Sequence, residues 1–203
     1  MKQEKIRGIT LSITTFCNRN CPYCCCGIPK AEGKTHYDIS YFERLIPYFK
    51  NMKEIFITGG EPTLHPNFYE VTNYIKKYLK PRKYSLATNG YGLNKLPLKH
   101  FLHFNKIHIS EYDNPSNNEE TEQFKKIAPD SLFRIVNGIN HIKKASGENP
   151  CKRASSGWLA FENNLLYPCC VVVDRGIGIE LSDDWREKIL DVSLPCNICV
   201  FGK

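Results

Sequence analysis

The sequence predicts an α/β fold built on an open parallel sheet, and three observations carry that prediction. Short stretches with strand character alternate with amphipathic helical stretches through about five units, which argues for parallel strands joined by crossover helices. Every residue with the chemistry of a ligand falls at the C-terminal end of one of those strands, where sites collect in α/β barrels. A closed barrel needs eight such units, and 203 residues leave no room for them.

Taken in order, Gly8 to Thr14 alternates apolar and polar residues and reads as the first strand. Ser40 to Glu43 reads as a capping box that opens a helix with Phe42, Leu45, Ile46 and Phe49 on one face. Pro47 is expected to kink or shorten that helix. Glu54 to Ile57 is the second strand and runs into Gly59-Gly60-Glu61-Pro62. A helix from Pro66 carries Phe68, Val71, Ile75 and Leu79 and stops at Pro81. Tyr84 to Thr88 is the third strand, ending at Asn89-Gly90. Leu96 to His103 is a short helical stretch, and Lys106 to Ser110 the fourth strand. Asn117 can cap a helix over 118–128, with acidic residues early and lysines late to suit the helix dipole. Leu132 to Val136 is the fifth strand.

After Lys144 the pattern changes. Gly147 to Pro150 reads as a linker, Trp158 to Tyr167 as a hairpin turning at Glu162-Asn163-Asn164, and Ser182 as the cap of a short helix with Trp185, Ile189 and Leu190. The expected division is 1–145 for the sheet and 146–203 for the extension.

The 41% hydrophobic fraction supports an ordinary core. No apolar run reaches the length of a membrane span, and the charged N-terminus lacks a signal peptide's apolar region. A cytoplasmic protein is expected. The ten cysteines then point to metal or redox chemistry rather than disulfides. The formal charge of +7 counts cysteine as neutral. Seven ligating thiolates and two cluster cores would leave about +4. With basic residues scattered rather than striped, a nucleic-acid partner is not expected.

Cys17, Cys21 and Cys24 stand at C-x3-C-x2-C. Three thiolates on one loop hold three corners of a four-iron–four-sulfur cluster, which normally takes four cysteines, and so leave one iron open. Zinc sites pair cysteines differently. This loop, with Tyr23 before Cys24, resembles that of the radical S-adenosylmethionine (SAM) enzymes. The Gly59-Gly60-Glu61-Pro62 run also resembles the family's. The resemblance implies that the open iron chelates SAM and that Gly59, Gly60, Glu61 and Pro62 bind its amino group. Tyr23 would lie near the adenine, with Asn89 and Ser110 at the ends of later strands as further SAM contacts. It implies a partial, open (β/α) TIM-like barrel of about five to six strands, the sixth borrowed from the tail.

Cys151, Cys169, Cys196 and Cys199, with a hairpin between the first two and a helix before the final C-x2-C, resemble the family's twitch extension, a shortened SPASM domain. That implies a second four-iron–four-sulfur cluster. A zinc ribbon is the bland reading of the same four. Adjacent side chains on an extended chain point to opposite sides, so one of Cys169 and Cys170 binds, and Cys169 is taken. Cys25 and Cys26 read as small buried residues.

The activity implied is reductive cleavage of SAM to a 5′-deoxyadenosyl radical and abstraction of a substrate hydrogen atom. A fully ligated second cluster suits a net two-electron oxidation, with alcohol dehydrogenation of a small molecule favoured. A peptide-modifying maturase is the alternative. A glycyl-radical activating enzyme or a non-catalytic zinc module ranks lower. A flavodoxin or ferredoxin is the expected reducing partner, and the substrate a small molecule or peptide. No catalytic residue beyond the cluster ligands is identified. His103, His141, Arg153 and Arg175 are candidate substrate contacts.

Overall fold

The computed structural model describes residues 6–21, 24, 33–111, 118–137, 157–169 and 177–192. Tyr23, Cys25, Cys26, His141, Cys151, Arg153, Cys170, Arg175, Cys196 and Cys199 lie outside them, as does the 145/146 boundary.

Strands β1 (Gly8–Ser12), β2 (Glu54–Thr58), β3 (Lys83–Thr88), β4 (Lys106–Glu111) and β5 (Phe133–Asn137) form a parallel run. Helices α1 (Ile39–Glu43) and α2 (Ile46–Phe49) lie between β1 and β2, α3 (Phe68–Leu79) between β2 and β3, and α4 (Asn118–Ile127) between β4 and β5, while the β3–β4 crossover holds only the 3-10 turn Leu98–His100. Beyond them come β6 (Trp158–Glu162), β7 (Leu165–Tyr167), β8 (Ile179–Glu180) and α5 (Trp185–Asp191). Among the described residues the sheet has eight strands in the order β5-β4-β3-β2-β1-β6-β7-β8 and is not closed.

The sixth parallel strand does come from the tail. β6 pairs with β1, Leu11 opposite Phe161, so the first strand lies inside the sheet rather than at its edge. The tail also shares the core. Leu159, Phe161, Leu166, Trp185 and Ile189 belong to the same buried cluster as Ile9, Leu11 and Phe49, and the Trp185 ring lies 5.0 Å from that of Phe49. β8, which pairs antiparallel with β7, has no counterpart in the sequence reading.

Alternation sets the two faces. Ile9, Leu11, Ile55, Ile57, Tyr84, Leu86, Ile107 and Ile109 are fully buried under the helices. The other face carries Phe56, whose ring meets His108 at 4.9 Å and Trp158 at 6.3 Å. Gly8 lets the indole cross the sheet, since a Cβ there would come within 2.9 Å of it.

Two helix starts differ from expectation. Asp38, not Ser40, caps α1: its carboxylate accepts from Tyr41 N at 3.1 Å, and Ser40 donates to it at 2.6 Å. Asp accepts with a full charge, so it outcompetes the hydroxyl two residues on. Asp184 likewise precedes α5, with the Ser182 hydroxyl bonded to it. Pro47 falls in the first turn of α2, where its missing N–H costs nothing, so the expected single helix is broken in two.

Candidate active site

The cysteine loop is closed at its base. Beyond β1, Ile13 N still bonds Thr58 O at 3.0 Å. The returning segment then pairs back on the same stretch, Thr15 N to Thr35 O at 2.8 Å and Tyr37 N to Ile13 O at 3.0 Å. His65 holds that return in place. Its Nδ1 accepts from Asn67 N at 3.0 Å, which leaves the proton on Nε2 to donate to Tyr37 O at 2.9 Å. Burial keeps this imidazole's pKa low, so the neutral ring is the working form.

Within the loop Cys17, Cys21 and Cys24 are half-buried cysteines that form no disulfide among the described residues. A tight turn joins the last two, Cys24 N to Cys21 O at 3.2 Å. Cys17 Sγ accepts from Arg19 N at 3.4 Å. Burial pushes the Cys17 thiol up, with Arg19 N–H and Lys34 pulling it back and Glu61 and Cys21 adding to the rise. Its proton must therefore leave when metal binds.

The two glycines carry the loop. Gly60 N donates to Thr14 O and Glu61 N to Phe16 O, each at 2.7 Å. A Cβ on Gly59, at φ +151, would lie 2.3 Å from Thr14 O; one on Gly60 would lie 2.0 Å from Phe16 O and 3.0 Å from Cys17 Cβ. The sequence reading assigns these glycines to close approach of a ligand. What approaches in the structure is the cysteine loop itself.

Glu61 follows on the same segment. Its side chain turns inward, is 0% exposed, and takes four donors from this chain. Oε1 accepts from Thr63 N (3.2 Å), Thr63 Oγ1 (2.7 Å) and Thr88 Oγ1 (2.7 Å), and Oε2 from Asn89 N (2.7 Å). Burial raises its pKa and these donors oppose the rise. Glu61 thus ties the end of β2 to the end of β3. Pro62 is buried and opens the 3-10 turn Pro62–Leu64. Asn89 reaches back to the cysteine loop, its amide donating to Asn18 Oδ1 at 2.9 Å. Ser110, near the C-terminal end of β4, is half-exposed and shares a sheet face with His108. His103 belongs elsewhere: it packs among Tyr69, Tyr84 and Phe104 under the helices, as a packing residue.

One group was missed by sequence reasoning. Glu162 reads as a turn residue, yet it is the last residue of β6 and only 4% exposed. Ser12 Oγ donates to its Oε2 at 2.5 Å. Burial pushes the carboxyl up to about 7, against the pull of Ser12. The available signal was the alternation of Trp158, Ala160 and Glu162 against Leu159 and Phe161.

The radical SAM superfamily model matches residues 11–152. The chain belongs to the radical SAM superfamily. Membership implies a four-iron–four-sulfur cluster and SAM, and the residues fit them. Three thiols stand on one loop over the strand ends, with a backbone N–H directed at the first sulfur. Among the described residues no three His, Cys, Asp or Glu side chains are gathered to hold a single metal ion.

Among curated relatives, GTP 3′,8-cyclase of Actinobacillus pleuropneumoniae serotype 5b (strain L20) is 29% identical over 138 residues, 65% of this chain and 39% of the relative. That of Haemophilus ducreyi (strain 35000HP / ATCC 700724) is 29% identical over 144 residues, 68% and 41%. The chain thus spans about two fifths of the length of these relatives. BtrN in complex with AdoMet and 2-DOIA aligns with a TM-score of 0.66 at 14% identity, covering 92% of this chain and 81% of BtrN. SuiB of Streptococcus suis bound to precursor peptide SuiA aligns at 0.64 and 12%, covering 94% and 65%. Both are likenesses of fold. No described helix is long and apolar enough to cross a membrane.

Proposed function

We propose that this radical SAM enzyme oxidises a small-molecule alcohol by two electrons. Cys17, Cys21 and Cys24 hold the SAM cluster in this reading, and Gly59 to Pro62, Tyr23, Asn89 and Ser110 form the SAM pocket. When bound, cluster and SAM supply a 5′-deoxyadenosyl radical that takes a hydrogen atom from an unactivated carbon. A second four-iron–four-sulfur cluster on Cys151, Cys169, Cys196 and Cys199 is the acceptor of the remaining electron. A flavodoxin or ferredoxin supplies the reducing electron.

The observation that carries the reading is the docking of the cysteine loop on Gly59 and Gly60, at the strand ends that border the sheet face turned away from the helices. The chain's own residues fix the loop and line the face with Phe56, His108 and Trp158. Cys169, buried just beyond β7, starts the tail's ligand arm on the same sheet. The fold is shared over most of both chains with BtrN, whose structure holds AdoMet and 2-DOIA, and 2-DOIA is therefore the first compound to try as substrate. The likeness to SuiB is nearly as close, so peptide modification is the second reading. The cyclase activity is not proposed, since the match covers only 39% of the relative's length.

Iron and sulfide content of anaerobically purified protein tests the cofactor set. About eight irons in the wild type and about four in the Cys17→Ala/Cys21→Ala/Cys24→Ala variant are expected. About four falling to none removes the second cluster and the oxidation with it. Release of 5′-deoxyadenosine with formation of a ketone from 2-DOIA or related polyols tests the reaction. Product from a peptide alone would establish the second reading instead.

A further inference from the structure

One rung of the sheet crosses six parallel strands. The register pairs Ser12 with Thr58, Ala87 with His108 and His108 with Arg134, and carrying it one residue past the Leu11–Phe161 and Ile57–Leu86 pairs sets Glu162 beside Ser12 and Thr58 beside Ala87. All six face the side turned away from the helices, as the Ser12–Glu162 and Arg134–His108 hydrogen bonds require. The rung lies at the C-terminal end of β1, β2 and β6, where the cysteine loop begins. The aromatic floor lies beneath it. Of the described residues at this rung, Glu162 is the only carboxyl.

Its two oxygens differ. Oε2 is held by Ser12, while Oε1 takes no hydrogen bond among the described residues. A carboxyl this buried carries a desolvation cost that its one hydrogen bond, from Ser12, offsets only in part. Among the described residues no cation pairs with it, and the groups near it are the hydroxyls of Ser12, Tyr37, Tyr41 and Tyr167. A substrate hydroxyl on that face would meet Oε1 as its acceptor.

We propose that Glu162 is a catalytic residue, the acceptor of the substrate's hydroxyl proton through Oε1, with Ser12 as its positioning residue. The inference rests on the alcohol-oxidation reading. In the balanced step the substrate C–H bond breaks and its hydrogen atom passes to the 5′-deoxyadenosyl radical, forming 5′-deoxyadenosine. The O–H proton passes to Oε1. The remaining electron goes to the auxiliary iron–sulfur cluster, and the carbon–oxygen double bond of the ketone forms. The carboxyl must be ionised to take the proton, so product formation rises with pH through neutrality.

The first measurement needs no substrate. Infrared spectra of 13C-glutamate-labelled holoprotein are compared between wild type and Glu162→Gln. A protonated-carboxyl band absent from Glu162→Gln and lost between pH 6 and pH 8 is expected. In Ser12→Ala, which lacks the hydroxyl that favours the ionised form, its midpoint moves higher. A band that never titrates in that window overturns the inference whatever the substrate. The second measurement gives reduced, SAM-loaded enzyme 2-DOIA and related polyols. Glu162→Gln is expected to keep releasing 5′-deoxyadenosine while the ketone formed per 5′-deoxyadenosine falls about 100-fold and loses its rise with pH. Equal ketone and an unchanged pH profile in the variant overturn Glu162 alone. No ketone from the wild type overturns the oxidation reading, and the role of Glu162 falls with it.

Discussion

Gly60 lies so close to Phe16 that a Cβ on it would stand 2.0 Å from the Phe16 carbonyl oxygen, a separation that no side chain tolerates. The obstacle is backbone, and it is fixed by the Glu61 N to Phe16 O bond at 2.7 Å. Gly60→Ala should push the cysteine loop off β2 without disturbing the sheet. Its iron content is expected to fall to that of the triple cysteine variant, with far-ultraviolet circular dichroism unchanged. Full iron in Gly60→Ala would mean that the loop loads its cluster away from β2.

Glu61 accepts four hydrogen bonds in complete burial. Glu61→Gln puts an NH2 where one oxygen accepted, so a donor faces a donor. A loss of about 2–3 kcal/mol is expected for a broken, buried, charge-assisted network, read from urea denaturation of the apoprotein. A change under about 0.5 kcal/mol would show that the network does not couple β2 to β3.

Glu162 gives stability a pH dependence with a definite sign. Its folded pKa of about 7 lies above the ordinary 4.5, so the folded state holds this proton more tightly than the unfolded chain does. Its contribution is fully present below about pH 4.5 and is lost as the pH rises to about 7, by at most about 3 kcal/mol. Glu162→Gln should remove that slope. Melting temperatures of the two proteins at pH 5 and pH 8 check it: the wild type should lose more on going to pH 8.

Half-buried His103 has no hydrogen-bond partner for either ring nitrogen among the described residues and sits among Tyr69, Tyr84 and Phe104. Burial, aided by Lys76 and His100, lowers its pKa to about 4. Its share of stability is complete above the ordinary 6.5 and lost as the pH falls towards 4. His103→Phe keeps the packing and removes two unsatisfied atoms. A gain of about 1 kcal/mol at pH 7 is expected, growing as the pH falls. A loss at both pH values would show that the ring makes a bond its neighbours conceal.

Most of the parallel sheet was legible because its strands are apolar on one face and end in Gly, Asn or Ser, where the chemistry sits. The cysteine triplet and the Gly-Gly-Glu-Pro run were legible as motifs, but their mutual geometry was not. That Gly60 meets Phe16, and that Glu61 turns inward to Thr63, Thr88 and Asn89, depends on which strands lie side by side. Glu162 was illegible for the same reason. A Glu-Asn-Asn run reads as a turn, and Asn163 and Asn164 do make it, with φ of 49° and 67°. Nothing local says that the strand before it lies beside residues 8–11.

That pairing sets the order of assembly. β1 is made first, and its second neighbour, β6, comes about 150 residues later, with Ser12 finding Glu162 only then. Contacts this distant in sequence slow the folding of a domain. Until β6 arrives, one edge of β1 remains an unpaired backbone template, the kind that draws in foreign strands. The cysteine loop hangs from that same strand. A ribosome-bound chain can therefore display its three thiols before its sheet is complete, and the timing of iron delivery against synthesis becomes a property written into the strand order.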